Sequence, residues 1–269
     1  MSLLLATLLA LQAKAGDRMT VGVESVLDLE ITVRDGVGEN RRLLSLVRKE
    51  KFSQEATEVA EGRPTAARIQ VVASTLQRSG TDVPIEEQPT PLAGKTFVSR
   101  RAADGWVAQD PQGGAAPIEG ASLGGWNELW RLLPASEPKA GTSWTVDGRE
   151  IIPLLHPMGL AEASGKLECT AKSVEGGRVT VQFKGGVQGR PRDEAATRLS
   201  FSISEGTLVY DLGKGRPVSL TLSGAVEAAL DQVDVFRKPV SKTESEEERR
   251  KIGEILVRST QLRASFTFE

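Results

Sequence analysis

The stretch MTVGVESVLDLEITVR, from Met19 to Arg34, alternates between two kinds of residue. Its odd-numbered positions are mostly apolar and its even-numbered positions are mostly polar. Because successive side chains of a β-strand point to opposite faces, a period of two is typical of a strand with one buried face. The stretch therefore predicts a strand of about fifteen residues, followed by a turn at Asp35 and Gly36.

The same alternation returns near the C-terminus. Apolar residues or glycine occupy every second position from Val218 to Leu230. In the last strand one face carries Leu256, Leu262, Ala264, Phe266 and Phe268. The intervening segment, 238–251, is charged throughout, and we expect it to be the exposed tip of a long hairpin. Two oppositely charged pairs at a spacing of four residues would support a short helical turn there: Glu246 with Arg250, and Glu247 with Lys251.

Shorter alternating segments, such as 43–50 and 67–76, fill much of the remaining chain and are separated by turn residues. Strands of about fifteen residues are much longer than the usual five or six, and they cannot stay flat. They twist and coil, and glycines such as Gly224 take up the bend. The predicted fold class is mainly β: a long antiparallel, strongly curled sheet or half-barrel with one short central helix.

The predicted helix lies in the segment ASLGGWNELWRLLP, where Ser122 is a candidate N-cap and Pro134 ends the helix. Four apolar residues share its i, i+3, i+4, i+7 stripe: Trp126, Leu129, Trp130 and Leu133. We expect this helix to pack on the concave side of the sheet. Residues 16–269 are predicted to form one β-rich domain, with the possibility of two halves that meet near residues 122–138.

The N-terminal segment is typical of an export signal. An apolar run from Leu3 to Ala13 ends in Ala13-Lys14-Ala15, the small-x-small pattern that signal peptidase cleaves. The run is too short to span a bilayer as a helix. No basic residue precedes it, so the alternatives are that the true start lies upstream or that the segment is an ordinary buried helix. We expect residues 1–15 to be a signal peptide, the mature chain to start near Gly16, and the location to be periplasmic or secreted.

Composition excludes several classes of function. The chain has 34 basic and 36 acidic residues, so its net charge of −2 does not favour nucleic acid as a partner. The single cysteine, Cys169, allows no intrachain disulfide and is expected to be a small core residue. The single histidine, His156, leaves no imidazole cluster for a metal and no histidine-based catalytic pair. No cofactor, metal site or transmembrane segment is predicted.

Two short motifs resemble catalytic signatures but depart from them. Gly94-Lys95-Thr96 matches the end of a phosphate-binding loop, yet Pro89 stands where the first glycine is required. Ser136-x-x-Lys139 matches a penicillin-recognising motif, but Pro138 lies inside it and the segment is predicted to be a loop. No catalytic residue is therefore predicted, and we expect the protein not to be an enzyme.

Four tryptophans in the central third of the chain are the candidate ligand-pocket residues: Trp106, Trp126, Trp130 and Trp144. Buried aromatic side chains commonly anchor a helix to a sheet. The alternative is that these rings line an apolar or stacking pocket for a ligand.

The stretch EPKAGTSWTVDG resembles a signature of a family of secreted or envelope-associated bacterial proteins of unknown function. That pattern runs from a proline through a short spacer to Gly-x-x-Trp and a strand, and Pro138, Gly141 and Trp144 match it here. A second similar element spans Glu205 to Gly224, where a strand ends in Asp211 and a glycine turn leads into a long strand. The resemblance implies export and a β-rich fold, and it carries no known activity.

Three classes of function follow. The first is a non-catalytic exported protein that binds or scaffolds an envelope component. The second is a carrier of a lipid or other apolar small molecule in a cavity of the curled sheet, by analogy of fold alone. The third is a hydrolase that uses scattered carboxylates, such as Glu86 and Glu87.

Overall fold

The structure is a computed structural model that describes residues 13–35, 38–81, 83–102, 105–112, 123–155, 160–191, 196–237 and 247–269. Its strands are β1 (Arg18–Asp35), β2 (Glu39–Ala60), β3 (Arg63–Gly80), β4 (Val83–Pro89), β5 (Thr96–Ala102), β6 (Gly105–Gln109), β7 (Ser143–Asp147), β8 (Leu160–Glu175), β9 (Arg178–Pro191), β10 (Ala196–Asp211), β11 (Arg216–Arg237) and β12 (Glu247–Phe268). Its helical elements are the 3₁₀ helices η1 (Gly125–Leu132) and η2 (Gly148–Ile151), and the short α-helix α1 (Ile152–Leu155).

All of these strands belong to one antiparallel sheet, curled into a partial ring. Its order is β6-β5-β3-β2-β1-β12-β11-β10-β9-β8-β7, and β4 pairs with β3 off this path. The first and last strands therefore lie side by side at the centre of the sheet. The prediction of a mainly β, antiparallel and strongly curled fold with long terminal strands is confirmed.

The alternation of β1 corresponds to the two faces of the sheet. Val21 pairs with Phe52 of β2 on one side and with Phe268 of β12 on the other. All three side chains are buried in the core. Because partners in register project to the same face, the odd-numbered residues of β1 define the inner, concave face.

Four glycines on β8, β9 and β11 form a line that crosses β10 at Ile203, and we call it the glycine line: Gly165, Gly185, Gly186 and Gly224. Gly185 pairs with Ile203 of β10, and Ile203 pairs with Gly224. A methyl group on any of these glycines would lie 1.9–2.5 Å from a carbonyl oxygen of the neighbouring strand. The register of β11 against β12 also shifts directly after Gly224, so the predicted bend there is confirmed.

Two strands are much longer than their predicted segments. The predicted 43–50 lies within β2 (Glu39–Ala60), and the predicted 67–76 lies within β3 (Arg63–Gly80). The first five residues of β2 are exposed, so they carry no apolar signal. Their pairing with β1 continues through backbone hydrogen bonds and the ion pair of Arg34 with Glu39, which a hydrophobic pattern does not report.

The predicted helical turn in the charged hairpin segment is wrong where the structure describes it. Glu247 and Lys251 belong to β12 and pair with Arg237 and Val233 of β11. Continuous strand pairing with β11 outweighs the small stabilisation that an i, i+4 ion pair gives to a helix. Glu246 and the rest of 238–246 lie outside the described residues.

The central helix forms where predicted, but its type differs. In a 3₁₀ helix side chains repeat every three residues, so the buried stripe consists of Trp126, Leu129 and Leu132. Trp130 and Leu133, which the α-helical spacing placed on that stripe, are only half-buried. Leu133 is extended and Pro134 follows, so the helix ends as predicted. The predicted cap, Ser122, lies outside the described residues.

In the part of the chain that the structure describes, no helix has the length and apolar character needed to cross a membrane.

Candidate functional site

The inner face of the sheet contains an elongated cavity of about 800 Å³, which we call the open groove. Leu27 of β1 lies there between its register partners Leu46 of β2 and Leu262 of β12. Trp126 and Leu155 line it from the helical segments. Its apolar lining from the strands consists of Val23, Leu27, Leu46, Leu76, Phe201, Leu222, Val226, Leu262, Ala264 and Phe266.

One wall of the open groove is polar. The buried carboxylate of Glu50 lies 2.7 Å from Nη2 of Arg48 and accepts a hydrogen bond of 2.9 Å from the hydroxyl of Ser74. The hydroxyl of Thr90 donates to Ser74 at 2.6 Å. Nε of Arg48 is buried and has no hydrogen-bond partner among the described residues. This wall therefore contains a fixed ion pair, in which the Nε–H group of Arg48 remains able to donate a hydrogen bond.

Trp126 separates the open groove from the rest of the concave side. Its ring centroid lies 4.6 Å from that of Phe266, 6.2 Å from that of Phe268 and 6.4 Å from that of Phe52. The side chain is buried, and its Nε1 has no hydrogen-bond partner among the described residues. Trp126 also lines a second cavity, so one indole contacts two cavities.

An ionic network holds η1 in place. The carboxylate of Glu128 is buried and accepts hydrogen bonds from Nε1 of Trp106 at 3.1 Å and from Nε of Arg131 at 2.5 Å. Nε of Arg101 lies 3.1 Å from the same carboxylate, and Arg131 also binds Glu150. Burial lowers the pKa of Arg131, but hydrogen bonds to Glu150 and Glu128 and their negative charges raise it overall. The network fixes the helix against the β5–β6 edge.

The four candidate tryptophans occupy different environments. Trp106 is buried in the Glu128 network, and Trp144 is half-buried with its Nε1 donating to the carbonyl of Leu132 at 3.2 Å. Trp130 is half-buried beneath the guanidinium of Arg63. The structure therefore brings Trp126 and Trp130 together at the second cavity, whereas Trp106 and Trp144 anchor η1 from its two sides.

Sequence reasoning missed the polar wall of the open groove. Arg48 and Glu50 lie two residues apart in β2, on the same face as Leu46 and Phe52. Two charged residues that interrupt an apolar face at a spacing of two are the signal that could have identified this wall, since burying a charge is costly unless it is paired.

The remaining sequence candidates carry no chemistry that the structure identifies. Cys169 is buried in the core, and burial raises the pKa of its thiol to about 12, as expected of a structural cysteine rather than a nucleophile. His156 lies outside the described residues. The described residues contain no group of three or more potential metal-ligating side chains.

Comparison with protein-family models finds no match, and comparison with curated proteins also finds none. Among solved structures, a crystal structure from Vibrio parahaemolyticus, described as a candidate outer membrane lipoprotein-sorting protein domain, is similar at 11% sequence identity. The match covers 89% of this chain and 84% of that chain, with a TM-score of 0.16. At this TM-score we draw no conclusion about fold or function from the similarity.

Proposed function

We propose that this chain is a non-catalytic, exported binding protein that carries an apolar chain, such as the acyl chain of a lipid, in the open groove. One observation carries the proposal. Aliphatic side chains from five strands point into the groove and stay only half-buried: Leu27, Leu46, Leu76, Val226 and Leu262. Exposed apolar surface of this extent is characteristic of a binding site, because leaving it in water costs free energy that a ligand recovers.

The dimensions of the open groove support this class of ligand. A volume of about 800 Å³ falls within the range usual for small-molecule sites. From Val23 to Leu27 the floor runs along β1 for about 13 Å, at roughly 3.3 Å per residue. An aliphatic floor of this length suits a flexible hydrocarbon chain, and the ion pair of Arg48 and Glu50 provides one polar contact that orients it.

The groove is lined by two carboxylates, the buried one of Glu50 and that of Glu86, which is exposed on β4. The state of the buried carboxylate supports a binding role over a hydrolytic one. Glu50 is held by Arg48 and by Ser74, so its oxygens are engaged with protein groups. A general acid or base must instead reach the substrate with an available oxygen. We therefore infer that Glu50 has a structural role.

The binding proposal is tested with Nile red, an uncharged apolar dye, by fluorescence titration and displacement with dodecanol. Ala264 lines the floor of the groove, so we expect Ala264→Trp to fill the groove and weaken dye binding at least tenfold. The matched control is Val107→Trp on the exposed face of the edge strand β6, which should bind dye as the wild type does. Absence of dye binding to the wild type, or equal binding by Ala264→Trp, would overturn the proposal in favour of a scaffold.

Export is tested separately. Expressed in a bacterium with its native N-terminus, the protein should be recovered outside the cytoplasm and begin near Gly16. An N-terminal sequence that starts at Met1 on a cytosolic product contradicts export without affecting the binding proposal.

A further inference from the structure

The second cavity that Trp126 lines has a volume of about 410 Å³ and an unusual charge, and we call it the basic pocket. Five of its lining residues are basic and one is acidic: Lys14, Arg18, Arg63, Lys214 and Arg216, against Asp17. The whole chain has a net charge of −2, so this local excess of positive charge is not a consequence of composition. Cations concentrated in a concave site attract anions.

Arg63 is the best-positioned of these cations. Its guanidinium carbon lies 3.2 Å from the centroid of the Trp130 ring, so the cation lies over the face of the ring. No carboxylate of the described residues lies within ion-pair distance of it. Burial lowers the pKa of Arg63, although the negative charges of Glu128 and Glu61 act in the opposite direction. The contact with Trp130 fixes the guanidinium while leaving its N–H edge available for a ligand.

The other cations are also poorly neutralised within the described residues. Arg18 pairs with Glu55 at 3.1 Å, but the Arg18 side chain is 77% exposed, so the pair is weak. Arg216 donates from Nη1 to the carbonyl oxygen of Arg18 at 3.4 Å, a contact with no carboxylate. Lys214 lies in the turn after β10, which is held by a hydrogen bond of 2.6 Å from the hydroxyl of Tyr210 to the carbonyl of Gly215. The pocket therefore offers several donors and positive charges that protein carboxylates do not satisfy.

The floor of the basic pocket is apolar. Trp126 and Trp130 line it together with Met19, Pro64 and Pro217. Burial raises the pKa of Tyr210, so this phenol stays neutral and adds no negative charge. A ligand that fits both parts has an anionic group for the cations and an apolar body for the rings.

We propose that the basic pocket binds the carboxylate or phosphate group of an amphiphile whose apolar part packs on Trp126 and Trp130. Arginine recognises both anions through paired N–H···O hydrogen bonds, and lysine adds charge. The proposal does not need Lys14, which the predicted cleavage before Gly16 would remove. It goes beyond the binding of an uncharged chain in the open groove, since the two cavities share only Trp126 among their lining residues.

The test compares dodecyl phosphate with dodecanol and with inorganic phosphate, by calorimetric titration below micelle-forming concentrations. We expect the wild type to bind dodecyl phosphate at least tenfold more tightly than dodecanol, and this preference to fall as salt is raised. Arg63→Gln and Arg216→Gln should each reduce the preference at least threefold. The matched control is Arg149→Gln, which removes an exposed arginine outside both cavities and should leave the preference unchanged.

Three outcomes overturn the proposal. Equal affinity of the wild type for dodecyl phosphate and dodecanol excludes recognition of the anion. Unchanged preference in folded Arg63→Gln and Arg216→Gln places the anion elsewhere. Equal affinity for inorganic phosphate and dodecyl phosphate excludes the amphiphile and leaves a free-anion site.

These outcomes do not depend on the open groove. The groove-filling Ala264→Trp variant should keep its affinity for dodecyl phosphate and still prefer it to dodecanol, because Ala264 does not line the basic pocket. A wild type that fails to bind Nile red but retains that preference would refute the groove and support the pocket.

Discussion

Two regions of one inner face differ in how they are covered. In the plugged half, Val21, Phe52 and Phe268 form a row across three neighbouring strands and are at most 5% exposed. In the open half, Leu27 and its partners Leu46 and Leu262 form an equivalent row on the same strands but are half-buried. The strands, the register and the apolar character are the same in both rows, so the strands do not cause the difference.

The difference comes from η1. Trp126 and Leu129 lie over the plugged half and complete a closed core, whereas the helix does not extend over the row of Leu27. Alternation along a strand therefore determines which side chains face inward. A separate element determines whether, among the described residues, those side chains are covered by protein or line a groove.

The largest expected loss of stability is from Trp126→Ala, which removes the side chain at the centre of the contact between η1 and the sheet. The side chain is 4% exposed and packs on three phenylalanine rings, so the variant should lose about 3–5 kcal/mol of unfolding free energy through lost burial and a new cavity. Chemical denaturation measures the change. If Trp126→Ala costs no more than Leu27→Ala, the two halves do not differ as described.

Glu128→Gln is expected to cause the next largest loss of stability, because it breaks the ionic network that holds η1 in place. The buried carboxylate accepts from Trp106 and pairs with Arg101 and Arg131, so loss of its charge should cost about 2 kcal/mol of unfolding free energy. The control is Glu39→Gln, whose carboxylate pairs with two arginines on the surface, and its unfolding midpoint should not change. Equal midpoints for both variants would show that the network does not stabilise η1.

Leu27→Ala tests the open half directly. The side chain is half-buried, so the variant should lose only about 1 kcal/mol of unfolding free energy. Its affinity for Nile red should fall, because the lost surface belongs to the groove. A loss of stability as large as that of Trp126→Ala would mean that this half is as closely packed as the plugged half.

The smallest effect concerns Cys169, which is buried in the core beside the plugged half. Burial raises the pKa of its thiol from 9.0 to about 12 in the folded chain. Its contribution to stability is therefore fully present below pH 9 and is lost as the pH rises toward 12, where the unfolded chain gains by ionising. Denaturation curves at pH 8 and pH 9.5, where only the start of this loss is sampled, should show a slightly larger loss of stability for the wild type than for Cys169→Ala. Equal losses would mean that the thiol is accessible to water.

The contrast also shows how much of the fold a sequence can predict. The alternation from Met19 to Arg34 was sufficient to predict β1 and its inward face, because burial of one face imposes a period of two. The full length of β2 was not predictable, since its exposed first residues are held by backbone pairing. The spacing around Trp126 predicted a helix but not a 3₁₀ helix, because residues three apart fit both geometries.

The candidate site was less predictable than the fold. Trp126 and Trp130 were identified from their residue type, and both line a cavity. Arg63 and Arg216 were not identified, because they lie 153 positions apart (216 − 63) and the element from Glu205 to Gly224, which contains Arg216, indicated only a strand and a turn. Sites that form only when distant strands and turns converge carry no signal in residue spacing.

The glycine line has a consequence for how the sequence can change. Gly165, Gly186 and Gly224 are far apart in the chain, but each faces a carbonyl oxygen of the adjacent strand at a distance that excludes any larger residue. In a deep mutational scan, substitutions at these positions, which form one line across the sheet, should not be tolerated. Random mutation can therefore alter the lining of both cavities more readily than it can alter the curvature that forms them. Ligand preference can therefore change through substitutions in the cavity linings while the curvature of the sheet stays the same.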